Sequence, residues 1–249
     1  MLESISIDAR RSLVIPGDAA QTISYAAAHW KDVCLESVRS HGAFYVALSG
    51  GSTPKAIFEI LTKPPLQSEI PWEKVHLFWS DERCVAPDHP DSNYQMAMEA
   101  GFKQVPIPAS QIHRMPADAD NIIESAKKYE AEIQSSLGER PFDLIMLGMG
   151  DDGHTASLFP QTTALKEDKH LVAANHIPQK ETWRMTMTYP CINSARHIAV
   201  YVIGASKSAM VANILRGPYE PLEWPSQKIG APRNRAFWIA DTSAASKIN

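Results

Sequence analysis

The stretch Phe142-Asp-Leu-Ile-Met-Leu-Gly-Met-Gly-Asp-Asp-Gly-His-Thr-Ala-Ser-Leu-Phe-Pro160 indicates both the fold class and the chemistry of the chain. Its apolar beginning, 142–147, lacks the polar alternation of a half-exposed strand and predicts a strand buried on both faces. A glycine-rich turn with two acids and a histidine follows directly. Because ligands of open parallel sheets bind outside the carboxyl ends of the strands, we expect a functional site within 148–160.

Apolar runs of the same kind recur along the chain and alternate with segments of helical periodicity. The predicted strands are 44–48, 75–79, 142–147, 184–188, 197–203 and 236–240, and the predicted helices are 19–40, 54–61, 91–101, 121–137 and 206–215. Buried strands separated by helices are typical of an α/β fold with a doubly wound, mostly parallel sheet and helices on both faces. The even spacing of these elements favours a single domain over residues 1–249.

Composition and charge exclude several classes of protein. The chain has 249 residues, of which 44% are hydrophobic and 21% are charged, so it is neither a disordered nor a fibrous chain. Its net charge of −4 gives no basic field for nucleic acid, and any anionic ligand must be held by a local site. No apolar run approaches the roughly 18 residues of a membrane span, and the N-terminus lacks a signal-peptide pattern. We therefore expect a cytoplasmic protein that binds neither membranes nor nucleic acid.

The cysteines and histidines give no metal or disulfide pattern. Cys34, Cys84 and Cys191 are odd in number, lie far apart and form no Cys-x-x-Cys pair, which fits a reducing compartment and favours neither a disulfide framework nor a structural zinc site. The histidines lack the His-Glu-x-x-His and His-x-His spacings of common metal sites. We therefore expect no metal ion.

A candidate phosphate site follows the strand predicted at 44–48. The residues Ser49, Gly50, Gly51, Ser52 and Thr53 join that strand to the N-terminus of a helix. Two glycines allow a sharp turn that directs backbone N–H groups to one point, and the helix dipole and the hydroxyl groups favour an anion there. The Walker A spacing is absent. A tight turn with ordinary helix capping is the alternative interpretation.

Cations follow other predicted strands. Arg83 ends the segment Ser-Asp-Glu-Arg directly after the strand at 75–79, and we expect it to bind phosphate in bidentate fashion while the two acids hold its guanidinium group. A surface salt-bridge cluster is the alternative. Arg184 and Lys207 also lie near predicted strand ends, and we expect both to contribute to substrate binding. Lys180 is a further cation without an assigned role.

The segment after the strand at 142–147 formally matches Gly-x-Gly-x-x-Gly, but it does not favour a dinucleotide site. Pro160 interrupts the helix that such a site requires, and two acids lie where a pyrophosphate would approach. A more specific hypothesis concerns His154 as a general base near neutral pH, with Asp152 as the carboxylate that orients it. Residues two apart in a loop need not touch, and a purely structural histidine is the alternative.

Four motifs in this order resemble the 6-phosphogluconolactonase family, and the resemblance covers the chain from about residue 10 to 240. They read Leu-Ser-Gly-Gly-Ser-Thr-Pro at 48–54, Trp-Ser-Asp-Glu-Arg at 79–83, Asp-Ser-Asn-Tyr at 91–94, and the sequence quoted above at 148–160. The resemblance implies a fold shared with glucosamine-6-phosphate deaminases and ribose-5-phosphate isomerases. It also implies hydrolysis of 6-phospho-D-glucono-1,5-lactone to 6-phosphogluconate in the oxidative pentose phosphate pathway, with no organic cofactor.

Sugar-phosphate deaminases of the same fold are the main alternative. Their loop resembles this one through Asp-Gly-His but then supplies an acid, whereas residues 155–160 contain none. After the second strand these deaminases have Asp-Glu-Tyr, whereas this chain has Asp-Glu-Arg at 81–83. Both departures favour the lactonase. A non-catalytic sugar-phosphate sensor would keep residues 49–53, here called the glycine loop, and Arg83. It would need neither Asp152 nor His154.

The mechanism we expect is direct attack by water. His154 would take the proton of water as it attacks the lactone carbonyl, and Lys207 or backbone N–H groups would stabilise the oxyanion. A covalent route through Ser49 or Ser52 is the rival mechanism, but the Gly-x-Ser-x-Gly elbow is absent. We expect a monomer or a small homo-oligomer.

Overall fold

Two β-sheets organise residues 3–248, the part of the chain that the computed structural model describes. The strands are β1 (Ile5–Ser6), β2 (Arg11–Val14), β3 (Phe44–Leu48), β4 (Val75–Trp79), β5 (Asp81–Arg83), β6 (Leu144–Gly148), β7 (Val172–Ile177), β8 (Thr182–Met187), β9 (His197–Val202) and β10 (Ala236–Ala240). The α-helices are α1 (Ala19–His41), α2 (Ser52–Leu61), α3 (Leu66–Glu69), α4 (Asn93–Glu99), α5 (Ile122–Leu137), α6 (Tyr189–Ser194) and α7 (Ser208–Arg216).

The larger sheet confirms the predicted α/β class. Its seven strands are ordered β1-β2-β10-β9-β6-β3-β4, and every neighbouring pair is parallel except β1 with β2. All five residues of β3 and the last five residues of β9 are buried, so both faces of the central sheet are covered. The carboxyl ends of β3, β4, β6 and β9 therefore lie at one edge, where the sequence predicts the site.

A smaller antiparallel sheet, ordered β5-β8-β7, is absent from the sequence prediction. The run at 184–188 belongs to this sheet and not to the larger one, and the segment 81–83, predicted as a strand-end loop, is itself a strand paired with β8. The chain passes between the sheets within one residue. The Ser80 backbone N–H donates to the Leu48 carbonyl, and the Ser80 carbonyl accepts from Met187, each at 2.8 Å.

The long helix α1 has a capping motif at each end. The Asp18 carboxylate accepts the backbone N–H of Gln21, and the Gln21 side chain accepts that of Asp18, each at 2.9 Å. Gly42 ends the helix in the left-handed conformation with φ 87°. Helix α2 begins at Ser52, two residues before the predicted start, which brings its first turn directly onto the glycine loop.

The core is built from the strands and the helix faces that cover them. One cluster of buried hydrophobic residues extends from Leu13 to Ala245, and Trp30, Trp79 and Trp238 are its largest fully buried members. The three cysteines are free thiols, two of them buried. Within residues 3–248, none of the helices is both long and apolar enough to cross a membrane.

Candidate active site

A cleft of about 270 Å³ opens at the carboxyl ends of β3 and β6, with the small sheet as one wall. Several residues predicted from the sequence line it together: Ser49, Gly50, Arg83, His154 and Arg184. The lining also contains Asp81, which the sequence expected to hold Arg83, and residues to which the sequence assigned no role: Asn93, Ser157, Phe159 and Lys180. Gly51, Ser52, Thr53, Asp152 and Lys207 were predicted for the site but are not among the lining residues.

Asp152 and His154 are in direct contact. The His154 Nδ1 atom lies 2.5 Å from Asp152 Oδ1, and the same oxygen accepts the backbone N–H of His154 at 3.1 Å. Burial alone would raise the pKa of Asp152, but the hydrogen bonds and charge of His154 outweigh it and the net shift is downward. An ionised Asp152 holds the proton of neutral His154 on Nδ1, which leaves Nε2 free to accept a proton.

The imidazole of His154 is closely packed between Gly150 and Phe159. A Cβ atom on Gly150 would come within 2.1 Å of His154 Nδ1, so the ring rests against a position that only glycine can occupy. On the side of Phe159, the two ring centroids are 3.9 Å apart and the planes differ by 17°. The carboxylate, the glycine backbone and the aromatic ring together restrict the orientation of the imidazole.

The glycine loop approaches the cleft from β3. A Cβ atom on Gly50 would overlap the Asn93 amide, 1.8 Å from its Oδ1, so glycine lets this loop pack against the start of α4. Gly51 has φ 104° and precedes the first turn of α2, where the N–H groups of Ser52 and Thr53 have no intrahelical acceptor. Gly51, Ser52 and Thr53 therefore adjoin the cleft and present backbone donors beside it.

Two arginines lie side by side on neighbouring strands of the small sheet. Arg83 on β5 is in register with Arg184 on β8, and both line the cleft. Burial lowers the pKa of Arg184, and the positive charge of Arg83 lowers it further. The carboxylates of Asp81 and Glu82 in the same sheet partly offset this shift, but neither arginine forms an ion pair within residues 3–248. Two neighbouring guanidinium groups without an ion-pair partner favour an anionic ligand such as phosphate.

The acids beside Arg83 do not hold its guanidinium group, which corrects the expectation from the sequence. Arg83 Nη1 donates instead to the Asp91 carbonyl at 2.5 Å. Glu82 is buried and accepts the backbone N–H groups of Arg83, Asn93 and Tyr94, each at 2.8 Å. Burial raises the pKa of Glu82, and these donors partly offset the shift. The side chain of Glu82 thus fixes the start of α4 rather than the arginine.

Asp81 connects the small sheet with the loop that follows β6 and contains His154, residues 149–160, here called the histidine loop. It is 7% exposed, lines the cleft, and accepts the Ser157 hydroxyl at 2.6 Å. The Asn93 amide donates to the Asp81 carbonyl at 2.9 Å. The signal for these residues was present in the sequence, because Asn93 and Ser157 lie within two of the family motifs, but their partners depend on the packing of separate loops.

Lys207 lies behind the histidine loop. Its Nζ atom is 2.6 Å from Asp151 Oδ1 and donates to the Met149 carbonyl at 3.1 Å. The ammonium group is therefore engaged with the loop rather than with the cleft, and Asp151, which the sequence left without a role, is its counterion. Lys180 does line the cleft, at the tip of the β7–β8 hairpin.

The side chains that commonly bind metal ions are dispersed in the described part of the chain. Across residues 3–248, no three side chains of histidine, cysteine, aspartate or glutamate are grouped in a way that could hold a metal ion.

The motifs and the geometry agree with what known proteins show. A sequence model of the glucosamine-6-phosphate isomerase/6-phosphogluconolactonase family matches residues 17–238. The chain belongs to this family. Within it, a 6-phosphogluconolactonase of Nostoc sp. is 41% identical over 218 residues, which cover 86% of this chain and 88% of the relative. The resemblance stated from the sequence is therefore confirmed.

Solved structures of the family agree on the fold. A 6-phosphogluconolactonase from Trypanosoma cruzi superposes with a TM-score of 0.84 at 26% identity, covering 99% of both chains. A monomeric glucosamine-6-phosphate deaminase superposes with a TM-score of 0.80 over 94% of this chain and 99% of its own. The identity to the deaminase is only 20%, so that likeness concerns the fold alone.

Proposed function

We propose that this protein hydrolyses 6-phospho-D-glucono-1,5-lactone to 6-phospho-D-gluconate, as the second step of the oxidative pentose phosphate pathway. The observation that carries the proposal is the Asp152–His154 pair, 2.5 Å apart, in a cleft that also contains Arg83 and Arg184. A general base and a phosphate-binding pair in one cleft suit the hydrolysis of a phosphorylated ester. The 6-phosphogluconolactonases among its relatives support the choice of lactone.

The chemistry assigns one proton route to His154. Its Nε2 atom takes a proton from water while the water oxygen forms a bond to the lactone carbonyl carbon, and the carbonyl becomes an oxyanion. When the tetrahedral intermediate collapses, the bond from that carbon to the ring oxygen breaks. The protonated His154 then donates to the ring oxygen, which leaves as a hydroxyl group. Asp152 stabilises the imidazolium that exists between these steps.

Substrate binding is assigned to the arginines and the glycine loop. Arg83 and Arg184 hold the phosphate, with backbone donors from Gly51 to Thr53 and the Ser49 hydroxyl on the other side. Lys207 can join them only by leaving Asp151, so its contribution to binding is secondary.

A coupled assay tests the activity. Lactone is generated freshly, and 6-phosphogluconate is measured by the reduction of a nicotinamide cofactor in a following dehydrogenase step. Because the lactone also hydrolyses spontaneously, the rate without protein must be subtracted. We expect wild type to accelerate hydrolysis and His154→Ala to lose about 10²–10⁴-fold in kcat with little change in KM. A wild-type rate equal to the protein-free control would refute the function.

A sugar-phosphate deaminase is the second candidate, and the shared fold is the observation that favours it. Residues 155–160 supply no acid after His154, which speaks against ring-opening and isomerisation chemistry. Ammonia release from glucosamine 6-phosphate distinguishes the two enzymes. A non-catalytic sensor would bind 6-phosphogluconate and fail both assays.

We also propose that residues 1–249 act as one catalytic domain, a monomer or small homo-oligomer in the cytoplasm. A single buried cluster from Leu13 to Ala245 supports the first part. Free thiols at Cys34, Cys84 and Cys191 suit a reducing compartment.

A further inference from the structure

Phe159 is a buried aromatic residue that lies apart from the main hydrophobic cluster. Its side chain is 5% exposed, yet it does not belong to the cluster that contains the neighbouring Leu158. Its aromatic neighbour is the imidazole of His154, at 3.9 Å between ring centroids, and the Lys180 ammonium lies 5.7 Å from the centroid of the same ring. A phenylalanine that only filled the core would not line the cleft between two ionisable groups.

The backbone of Phe159 is held by a buried network. The Thr162 hydroxyl donates to the Phe159 carbonyl at 2.7 Å, and the Asn175 amide donates to that hydroxyl at 2.9 Å. Asn175 is fully buried on β7, and its amide also donates to the Ser157 carbonyl at 2.9 Å. The position of the aromatic ring is thus determined by the small sheet and not by the loop alone.

We propose that Phe159 is a positioning residue for lactone hydrolysis: its ring fixes the plane of the His154 imidazole and stabilises the imidazolium formed during turnover. This role rests on the function proposed above. The ring face carries partial negative charge, so a stacked imidazolium is attracted to it more strongly than a neutral imidazole. Asp152 acts at the edge of the imidazole through Nδ1, whereas Phe159 acts on its face. The two contributions are therefore separable by mutation.

Several charged groups surround His154 and must stay unchanged in a test of the ring. They are Asp152 and the Asp151–Lys207 pair of the histidine loop region, Asp81 and Arg83 on β5, Arg184 on β8, and Lys180 at the hairpin tip. Phe159→Leu alters none of these charges and removes the π face at similar apolar character. Phe159→Tyr keeps the π face. A shift seen in the first variant and absent from the second is therefore due to the ring.

The test compares both variants with wild type in two measurements. In Phe159→Leu we expect the acidic limb of kcat/KM against pH to move down by about half a pH unit, because loss of the π face disfavours the imidazolium. We also expect kcat to fall about 10-fold from poorer alignment, with KM within twofold of wild type. Phe159→Tyr should match wild type in both the pH profile and kcat. The His154 ring resonance, assigned with His154→Asn, should show the same shift by NMR titration.

Phe142→Leu is the matched control for packing. Phe142 is 2% exposed and packs edge-on against Phe78, so its truncation should lower the melting temperature without moving the pH midpoint. The proposal is overturned if Phe159→Leu behaves like this control, or if Phe159→Tyr does not restore the midpoint. If wild type proves to have no lactonase activity, the function fails on its own. The NMR midpoints then still decide whether Phe159 stabilises the charged imidazole.

Discussion

Replacing Asp152 by asparagine tests the proposed catalytic pair, Asp152 and His154, most directly. The substitution keeps the size of the side chain but removes the charge 2.5 Å from His154 Nδ1. Two unit charges about 4 Å apart attract by about 4 kcal/mol at an effective dielectric of 20 and by about 1 kcal/mol in water. The Asp152 side chain is 47% exposed, so solvent screening puts the value near the lower limit. We therefore expect the imidazolium of His154 to lose about 1 kcal/mol of electrostatic stabilisation in Asp152→Asn.

The kinetic consequence has a defined sign. A carboxylate favours the imidazolium, so its loss moves the acidic limb of the kcat/KM profile of Asp152→Asn to lower pH. The asparagine amide can also donate to Nδ1, which places the imidazole proton on Nε2 and prevents it from acting as a base. We therefore expect kcat to fall about 10²–10³-fold at neutral pH. The exposed Asp168 offers a control, since Asp168→Asn removes one surface charge and should match wild type. A rate for Asp152→Asn within threefold of wild type, with an unmoved acidic limb, would refute the reasoning.

Three further substitutions separate binding, stability and geometry. Arg83→Ala should raise KM at least 10-fold while kcat changes little, since a charge-assisted phosphate contact is lost; steady-state kinetics decide this, and an unchanged KM would remove Arg83 from the phosphate site. Glu82→Ala leaves the backbone donors that it accepts unpaired in a buried position, so urea unfolding should show a loss of about 3 kcal/mol, and a loss below about 0.5 kcal/mol would contradict this account. Gly150→Ala should lower kcat about 100-fold while KM stays within a few-fold of wild type, because the alanine methyl group displaces the imidazole of His154. An unaffected kcat would show that close packing of the imidazole against residue 150 is not needed.

The larger sheet was predictable because its central strands carry a strong local signal. The strands at 44–48, 75–79 and 236–240 have the predicted bounds, since a buried run of apolar residues between polar segments leaves little choice. Strands β1, β2, β5 and β7 were not predicted. Asp81–Arg83 is wholly charged, and Val172–Ile177 contains a buried asparagine, so neither has an apolar pattern. The strand conformation of β2 and β5 comes from pairing with strands distant in the chain, which local sequence does not encode, whereas β7 pairs with β8 in a hairpin.

The same limit applies within the site. The glycine loop and His154 follow strands of the parallel sheet, and the ends of such strands converge, so their meeting in one cleft was predictable. Arg83 and Arg184 reach the same cleft from within β5 and β8 of the antiparallel sheet, which the sequence did not predict. The partners of long charged side chains were not. Lys207 follows β9 as expected, but its ammonium group contacts Asp151 and the Met149 carbonyl. Which acceptor it contacts depends on how the loop after β9 packs against the loop after β6, and the sequence does not show this packing.

The passage of the chain through Ser80 has a consequence for heat inactivation. Ser80 is fully buried, its backbone joins β3 to β8 through two hydrogen bonds, and its hydroxyl also donates to the Leu48 carbonyl at 3.0 Å. The wall that carries both arginines is thereby tied to the central sheet and cannot swing away as an independent lid. On a thermal ramp, the active centre should therefore persist until the whole molecule melts. Residual activity and the loss of ellipticity should follow one curve, with a common midpoint.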